Sequence, residues 1–491
     1  MACVEAWPGA MRRHVGARFT APQCRGVIHH APRRTERRHN PRPGKASAAC
    51  LAVCLAAGAL AQAPDDWPTY AHDARRSAVS PAALNAAGLT QRWVYASRMP
   101  VLAAWPGPDK RDYSNSPTVD NEDRLDLDSV YHVAVVGDSL FFGSSGEDAL
   151  RCLDARTGET RWVHPTDGPV RFAPHVVEGK VYFGSDDGYI YCVRATDGSL
   201  VWRYRAAPSG YLVPSNGKLI SLWPSRTGVV VQDGIVYCGA GIFPGEGVYV
   251  CALDALTGSD SGPGLFRQRF TDLSLQGYVL TSPEHLYFPG GRASPWVFDR
   301  RTGERRGEVG GGGGAYALLT GDWSIIYGPG RTSAVLEEFA SDGRDRLASF
   351  PGAKHIVVTP ERSYACTRDK VFALDRARYV QLSGELAKLS AQLKQAEQGS
   401  PAHQQLSAQI AKLEGDRQAC LVWTVPCAYP EALILAGDYL IAGGADLVAA
   451  FRATDGTQVW SAPVDGLAKG LAAARGRLFV SSTTRRIHCF E

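Results

Sequence analysis

The sequence predicts an all-β fold: an eight-bladed β-propeller closed by an N-terminal strand, with one inserted antiparallel α-helical hairpin. Three observations predict it. A strand-turn-strand pattern recurs about every forty residues, the last copy is incomplete, and a segment near the start of the chain supplies what that copy lacks.

The clearest copy runs from Gly179 to Trp202, "GKVYFGSDDGYIYCVRATDGSLVW", where two runs rich in β-branched and aromatic residues flank the turn sequence Asp186-Asp187-Gly188. Gly137 to Trp162 and Gly437 to Trp460 keep the same internal spacing. Each places a glycine four residues before its tryptophan: Gly158 and Trp162, Gly198 and Trp202, Gly456 and Trp460. Weaker copies begin near Gly234, Glu284, Asp322, Arg362 and Gly476. A sheet this small cannot bury its own faces, so the copies are expected to stack around a ring. The last copy, "GRLFVSSTTRRIHCFE", ends before any tryptophan strand and would leave an open sheet edge. Gln91–Ala96, "QRWVYA", matches "TRWVHP" at Thr160 and "LVWRYR" at Leu200, and is expected to complete the final blade. Trp162, Trp202, Trp423 and Trp460 are expected to act as staples between adjacent blades.

One blade breaks the spacing. Ala155 to Trp162 is seven steps, whereas the matching interval from Arg376 to Trp423 is 47. Inside the excess, Leu382, Leu386, Leu389 and Leu393, and then Leu406, Ile410 and Leu413, follow helical spacing on either side of the breaker Gly399-Ser400-Pro401. Residues 378–419 are therefore read as a helical coiled-coil hairpin projecting from the rim, either packed on itself or serving to dock a partner or a second copy. Gly310–Gly314 reads as a flexible loop before a blade, since no helix or lysine follows it as a phosphate cradle requires.

The blade ending Ala-x-Thr/Asp-Gly-x-x-x-Trp, seen at Ala155–Trp162, Ala195–Trp202 and Ala453–Trp460, resembles the tryptophan-docking repeat of quinoprotein alcohol dehydrogenase-like propellers. The likeness extends over nearly the whole chain after residue 61. That family includes dehydrogenases using pyrroloquinoline quinone (PQQ) and non-catalytic exported members such as the propeller lipoprotein of the outer-membrane protein assembly machinery, so the resemblance implies the fold and not one function. Its catalytic members have a disulfide between adjacent cysteines over the quinone and a carboxylate-amide calcium site. No Cys-Cys pair stands in this sequence. The resemblance thus favours the non-catalytic members, with no cofactor expected and with a PQQ-dependent dehydrogenase holding PQQ and calcium in the channel as the alternative.

Charge and hydropathy divide the chain into a leader and a body. Residues 1–61 carry ten Lys/Arg and two Asp/Glu, which leaves the remainder with 43 basic and 47 acidic residues, so the net charge of +4 belongs to the leader and is not a nucleic-acid signal. A basic stretch at Arg33–Lys45, an apolar one at Ala46–Leu60 and the small-x-small sequence Ala59-Leu60-Ala61 read as a secretory signal cleaved before Gln62. Cys50 and Cys54 lack the usual flanks of a lipid-anchor site but leave a lipoprotein open. Residues 62–90 form an extension, residues 91–491 the propeller, and the expected location is periplasmic or secreted.

Eight cysteines follow the leader. Cys152, Cys192 and Cys489 share one blade position with Ala252, Ala373 and Ala450, which marks a small buried wall slot. Whether Cys238 bonds Cys251, or Cys420 bonds Cys427, stays open at this point. No serine-hydrolase elbow, zinc-binding His-Glu-x-x-His, Walker sequence or haem-attachment motif occurs, and His132, His164, His175, His285, His355 and His488 are scattered among blades. The acidic stretch Asp120–Asp128 offers Asp120, Asp123, Asp126 and Asp128 as weak cation ligands without the turn glycine and closing glutamate of a helix-loop calcium site.

Eight residues before the position of Gly179, the innermost strands are expected to start at Ser129, Arg171, Arg226, Gln276, Gly314, Lys354, Tyr429 and Ala468. Equivalent residues ring one channel mouth. Arg171, Arg226 and Lys354, with Tyr429 beside them, would make that mouth a funnel for an anionic ligand, unless the arginines pair with nearby acids such as Asp167 or Asp233. The functional expectation is a binding or scaffold module that meets an envelope protein or a small anion, without nucleic acid, and with a membrane only through a lipid anchor.

Overall fold

Each repeat folds as a four-stranded antiparallel sheet, because its apolar runs are long enough for one strand each and are separated by short turns, many of them glycine-bearing. The computed structural model describes residues 63–105, 127–329 and 335–491. The leader, Cys50 and Cys54, and Asp120, Asp123 and Asp126 lie outside the described residues.

Blade 2 sets the pattern: His175–Val177, Lys180–Gly184, Tyr189–Arg194 and Leu200–Arg205 pair in sequence order. Blades 1 and 3 to 6 are further four-stranded sheets, starting at Val133, Val230, Leu280, Tyr316 and His355. Blades 7 and 8 share the long strand Gln458–Ala474, whose first part closes blade 7 and whose last part opens blade 8. As the sequence predicts, Gln91–Ala96 pairs antiparallel with Arg486–Phe490 and supplies the outer strand of blade 8. The first and last strands of the propeller therefore lock together in one sheet.

The tryptophans staple neighbouring blades. Trp162 Nε1 donates to the Ala195 carbonyl (3.1 Å), Trp202 Nε1 to Ala255 (3.1 Å) and Trp423 Nε1 to Ala453 (3.0 Å), each in the next blade. Trp93 Nε1 reaches Ala155 (3.2 Å), and Trp460 Nε1 reaches Leu89 (2.9 Å) in the N-terminal stretch. The repeat glycines receive these rings: a Cβ on Gly198, which has φ +71°, would stand 2.6 Å from the Trp162 ring. Phe266 takes the same place against Gly303 in a blade without tryptophan, an equivalence hidden in the sequence by the change of residue.

The insertion forms α1 (Arg376–Gln395) and α2 (Pro401–Gln418), each capped locally. Asp375 accepts from the Arg378 amide, and Ser400 from the His403 amide with Pro401 following it. The hairpin begins two residues earlier than expected, at Arg376. It also does not simply project, because the base of α1 is docked on blade 5. Tyr379 stacks on Phe350 with ring centroids 5.3 Å apart and donates to the Ser349 carbonyl (2.7 Å), while buried Arg376 bonds Glu338 (2.7 Å) and Asp322 (3.1 Å).

All eight described cysteines are buried free thiols. Cys152, Cys192 and Cys489 fill the expected wall slot, where burial pushes each thiol up to about 12. Cys238 lies directly across from Cys251 in the blade 3 ladder. Cys420 and Cys427 bracket Leu421–Pro426 and sit at its opposite ends, roughly 20 Å apart at the rise of a β-strand, so they do not face each other. The glycine run at Gly310–Gly314 is packed: a Cβ on Gly313, with φ +87°, would meet the Arg292 carbonyl at 2.2 Å.

Candidate functional site

The N-terminal stretch, unassigned by the repeat pattern, crosses one end of the propeller axis and reaches blades 1 to 4 at the other. Residues 63–84 form a strap over the ends of the innermost strands. Trp67 bridges to Val135 in blade 1, Val176 donates to the Pro68 carbonyl (2.9 Å), Thr281 to Ala74 (3.2 Å), Leu319 to Arg75 (2.8 Å) and Leu435 to Ala78 (2.9 Å). Ser80 Oγ donates to Ala473 (3.2 Å) in blade 8. After completing blade 8, the chain crosses to the face where the innermost strands begin. There the Leu102 amide donates to Ser145 Oγ (2.8 Å), the Ala104 carbonyl accepts from Asn216 (2.6 Å), and the Trp105 indole donates to Gln276 (2.7 Å).

This second face holds the residues predicted to form a cationic mouth, and it uses their charges internally. Arg171 and Arg226 converge on Asp186, whose carboxylate is fully buried: Arg171 Nε is at 2.7 Å, and Arg226 Nη2 and Nε are at 3.1 and 3.3 Å. Arg171 Nη1 also bonds Asp128 (2.9 Å) and the Leu102 carbonyl. With side chains 2% and 3% exposed, neither guanidinium stands open to solvent. The acids that hold them are not Asp167 or Asp233; Asp233 pairs with Arg300 (2.5 Å). Asp128, considered as a cation ligand, is a counter-ion of Arg171 that also accepts from the Ala104 amide (2.8 Å). Burial nonetheless raises its pKa, against the pull of Arg171. Lys354 is half-buried, and Tyr429 lies against Gly444 and Phe451, away from Asp186. Sequence reading treated Asp186 as a turn residue, although its position in a turn that faces two arginine-bearing strand starts was the available signal.

Between the strap and the ring lies a cavity of about 50 Å³ lined by Tyr70, Arg76, His132, Tyr316, His355 and Lys469 among others. Beside it the axis is filled: Tyr70 stacks on Tyr278 at 3.6 Å, and Phe172 meets Tyr278 edge-on at 4.9 Å. A cofactor the size of PQQ needs a pocket of ~300 Å³ or more. The described axis does not fit it. No cluster of three or more potential metal ligands occurs among the described residues.

His175 links blades 2 and 3 by accepting from the Val231 amide at Nδ1 (2.8 Å). Burial, with the Arg76 charge adding to it, pushes this imidazole down to about 3. The unfolded chain binds its proton near pH 6.5, so the contribution to stability is complete above that pH. It is lost as pH falls toward 3, at about 1.4 kcal/mol per pH unit. His175→Asn, which keeps an acceptor at the δ position, is expected to flatten the acid limb of a stability–pH curve relative to the native chain. Equal slopes would overturn this assignment.

The larger concavity is outside the ring. A groove of about 460 Å³ runs between α1 and Arg346–Pro351, the edge strand of blade 5. Arg346, Lys394 and Arg417 line it together with a single acid, Glu414, and the buried Ser383 Oγ on its wall has no hydrogen-bond partner.

A family model described as outer membrane protein assembly factor BamB matches residues 124–264 and 444–491. That match covers less than half of the chain, whereas solved propellers share its fold over most of its length. Quinohemoprotein alcohol dehydrogenase from Comamonas testosteroni superposes with a TM-score of 0.54 at 13% identity, over 87% of this chain and 81% of that one. A europium-containing methanol dehydrogenase gives 0.51 at 11%, over 85% and 89%. The computationally designed Ika8 protein gives 0.50 at 12%, over 74% and 97%. These likenesses concern the fold alone. No curated protein matches the chain.

Proposed function

We propose that this chain is an exported, non-catalytic binding module of the cell envelope. The observation that carries the reading is the strap of residues 63–84 across the axis, under which the described residues leave a cavity of about 50 Å³, against about 460 Å³ in the groove beside the helical hairpin. Recognition then falls to the outer surface, where the edge strand of blade 5, which pairs with no further strand, and a lining of three cationic side chains and one acid form one wide concavity. The assembly-factor description of the matching family model and the secretory character of residues 46–61 support an envelope address.

Calorimetric titration of residues 62–491 with PQQ, with and without calcium, is expected to give no saturable heat. Saturable, calcium-dependent binding would overturn the reading in favour of a quinone-dependent dehydrogenase.

A further inference from the structure

Arg76, on the strap, is a buried cation surrounded by neutral acceptors. It is 1% exposed. Nε donates to the Val279 carbonyl (3.1 Å), and Nη1 to Thr69 Oγ1 (3.0 Å), the Tyr70 carbonyl (3.1 Å) and the Asp73 carbonyl (3.3 Å). The Asp73 carboxylate bonds Arg75 and Ser77 instead. Nη2 is buried and has no hydrogen-bond partner. Arg171, Arg226 and Arg376 are comparably buried, but each faces a carboxylate. Burial without such a partner pushes Arg76 down to about 10.

A buried charge is costly unless something compensates it, and a buried N–H left without an acceptor adds to that cost. The cavity that Arg76 lines offers the space. Its described lining residues include Lys469, which pairs with Glu431 (3.7 Å), and two imidazoles, His132 and His355, and among them there is no carboxylate that could face Arg76. A water needs roughly 10–15 Å³ of such space, so about 50 Å³ admits one small ion with a partial hydration shell and excludes an organic dianion.

We propose that this cavity binds a small monovalent anion of halide size against Arg76 Nη2. The anion sits between a side chain of the strap and side chains of the ring, so its binding holds the strap down and links closure of the axis to the ion. This site is separate from the groove and does not depend on the groove's partner.

Crystals of residues 62–491 grown with sodium bromide in place of chloride test the site through the anomalous signal of bromide. A bromide peak beside Arg76 Nη2 is expected, and ordered water alone at that position would overturn the proposal. In solution, the thermal midpoint should rise saturably by roughly 2 °C when gluconate is exchanged for chloride at constant ionic strength, and R76Q should abolish the rise. A midpoint that does not respond to chloride in the native chain would equally overturn it. Should R76Q fail to fold, the bromide crystal and the native titration still decide.

Discussion

Asp186→Ala is expected to lower the stability of the propeller by about 3–5 kcal/mol, the largest effect of any single polar substitution in this chain. Its carboxylate is fully buried and is the counter-ion of two guanidiniums that are themselves 2% and 3% exposed. Removing it leaves Arg226 charged and buried, and leaves Arg171 with Asp128 alone. The same turn also holds blades together through its backbone, since the Ser221 amide donates to the Asp186 carbonyl (2.7 Å), and the substitution leaves that bond intact. The loss should therefore be electrostatic in origin. Urea unfolding of Asp186→Ala should show a lower midpoint with an unchanged slope, and Asp186→Leu combined with Arg226→Met should recover much of the deficit, because Arg171 keeps Asp128 as its counter-ion and no guanidinium is left orphaned. A single variant as stable as the native chain would show that the guanidiniums find other partners.

Starting the chain at residue 97 is expected to abolish the folded monomer. Gln91–Ala96 is the outer strand of blade 8, and without it Arg486–Phe490 becomes an open edge able to pair with other molecules. The staples on both sides of the seam go with it: Trp93 no longer reaches Ala155, and Trp460 loses the Leu89 carbonyl. Trp67, 1% exposed, and the rest of the strap are removed as well, which opens the axis. Size-exclusion chromatography and circular dichroism should report aggregated or partly folded protein, and a peptide spanning residues 63–96 added during refolding should restore a monomeric species. A chain from residue 97 that elutes as a monomer with the native unfolding midpoint would refute the closure.

What was legible in the sequence concerns local order. The glycine-to-tryptophan spacing of Gly158–Trp162, Gly198–Trp202 and Gly456–Trp460 marks the blade ends because a positive-φ turn and a large apolar ring are both required within one hairpin. The helical hairpin was legible for the same reason, through the helical spacing of its leucines on either side of the breaker Gly399-Ser400-Pro401, while its caps at Asp375 and Ser400 came from the structure. Arg171 and Arg226 were found by their blade position, yet their environment was not, since their partner Asp186 lies 15 and 40 positions away and looks like an ordinary turn residue.

By itself the sequence determined the number of blades, the strand that closes the ring and the place of the helical insertion, because each depends on contacts between neighbours in the chain or on the period of the repeat. Only the tertiary structure decided that the cationic mouth is neutralised from within, that α1 leans on blade 5 and walls a groove, and that residues 63–84 cap the axis around a lone buried arginine. Those features join groups such as Asp66 and Arg475, 409 positions apart, or Ser80 and Ala473, 393 apart. Such pairs carry no local signature, since what selects them is the desolvation of charges and the filling of space after the blades have already closed.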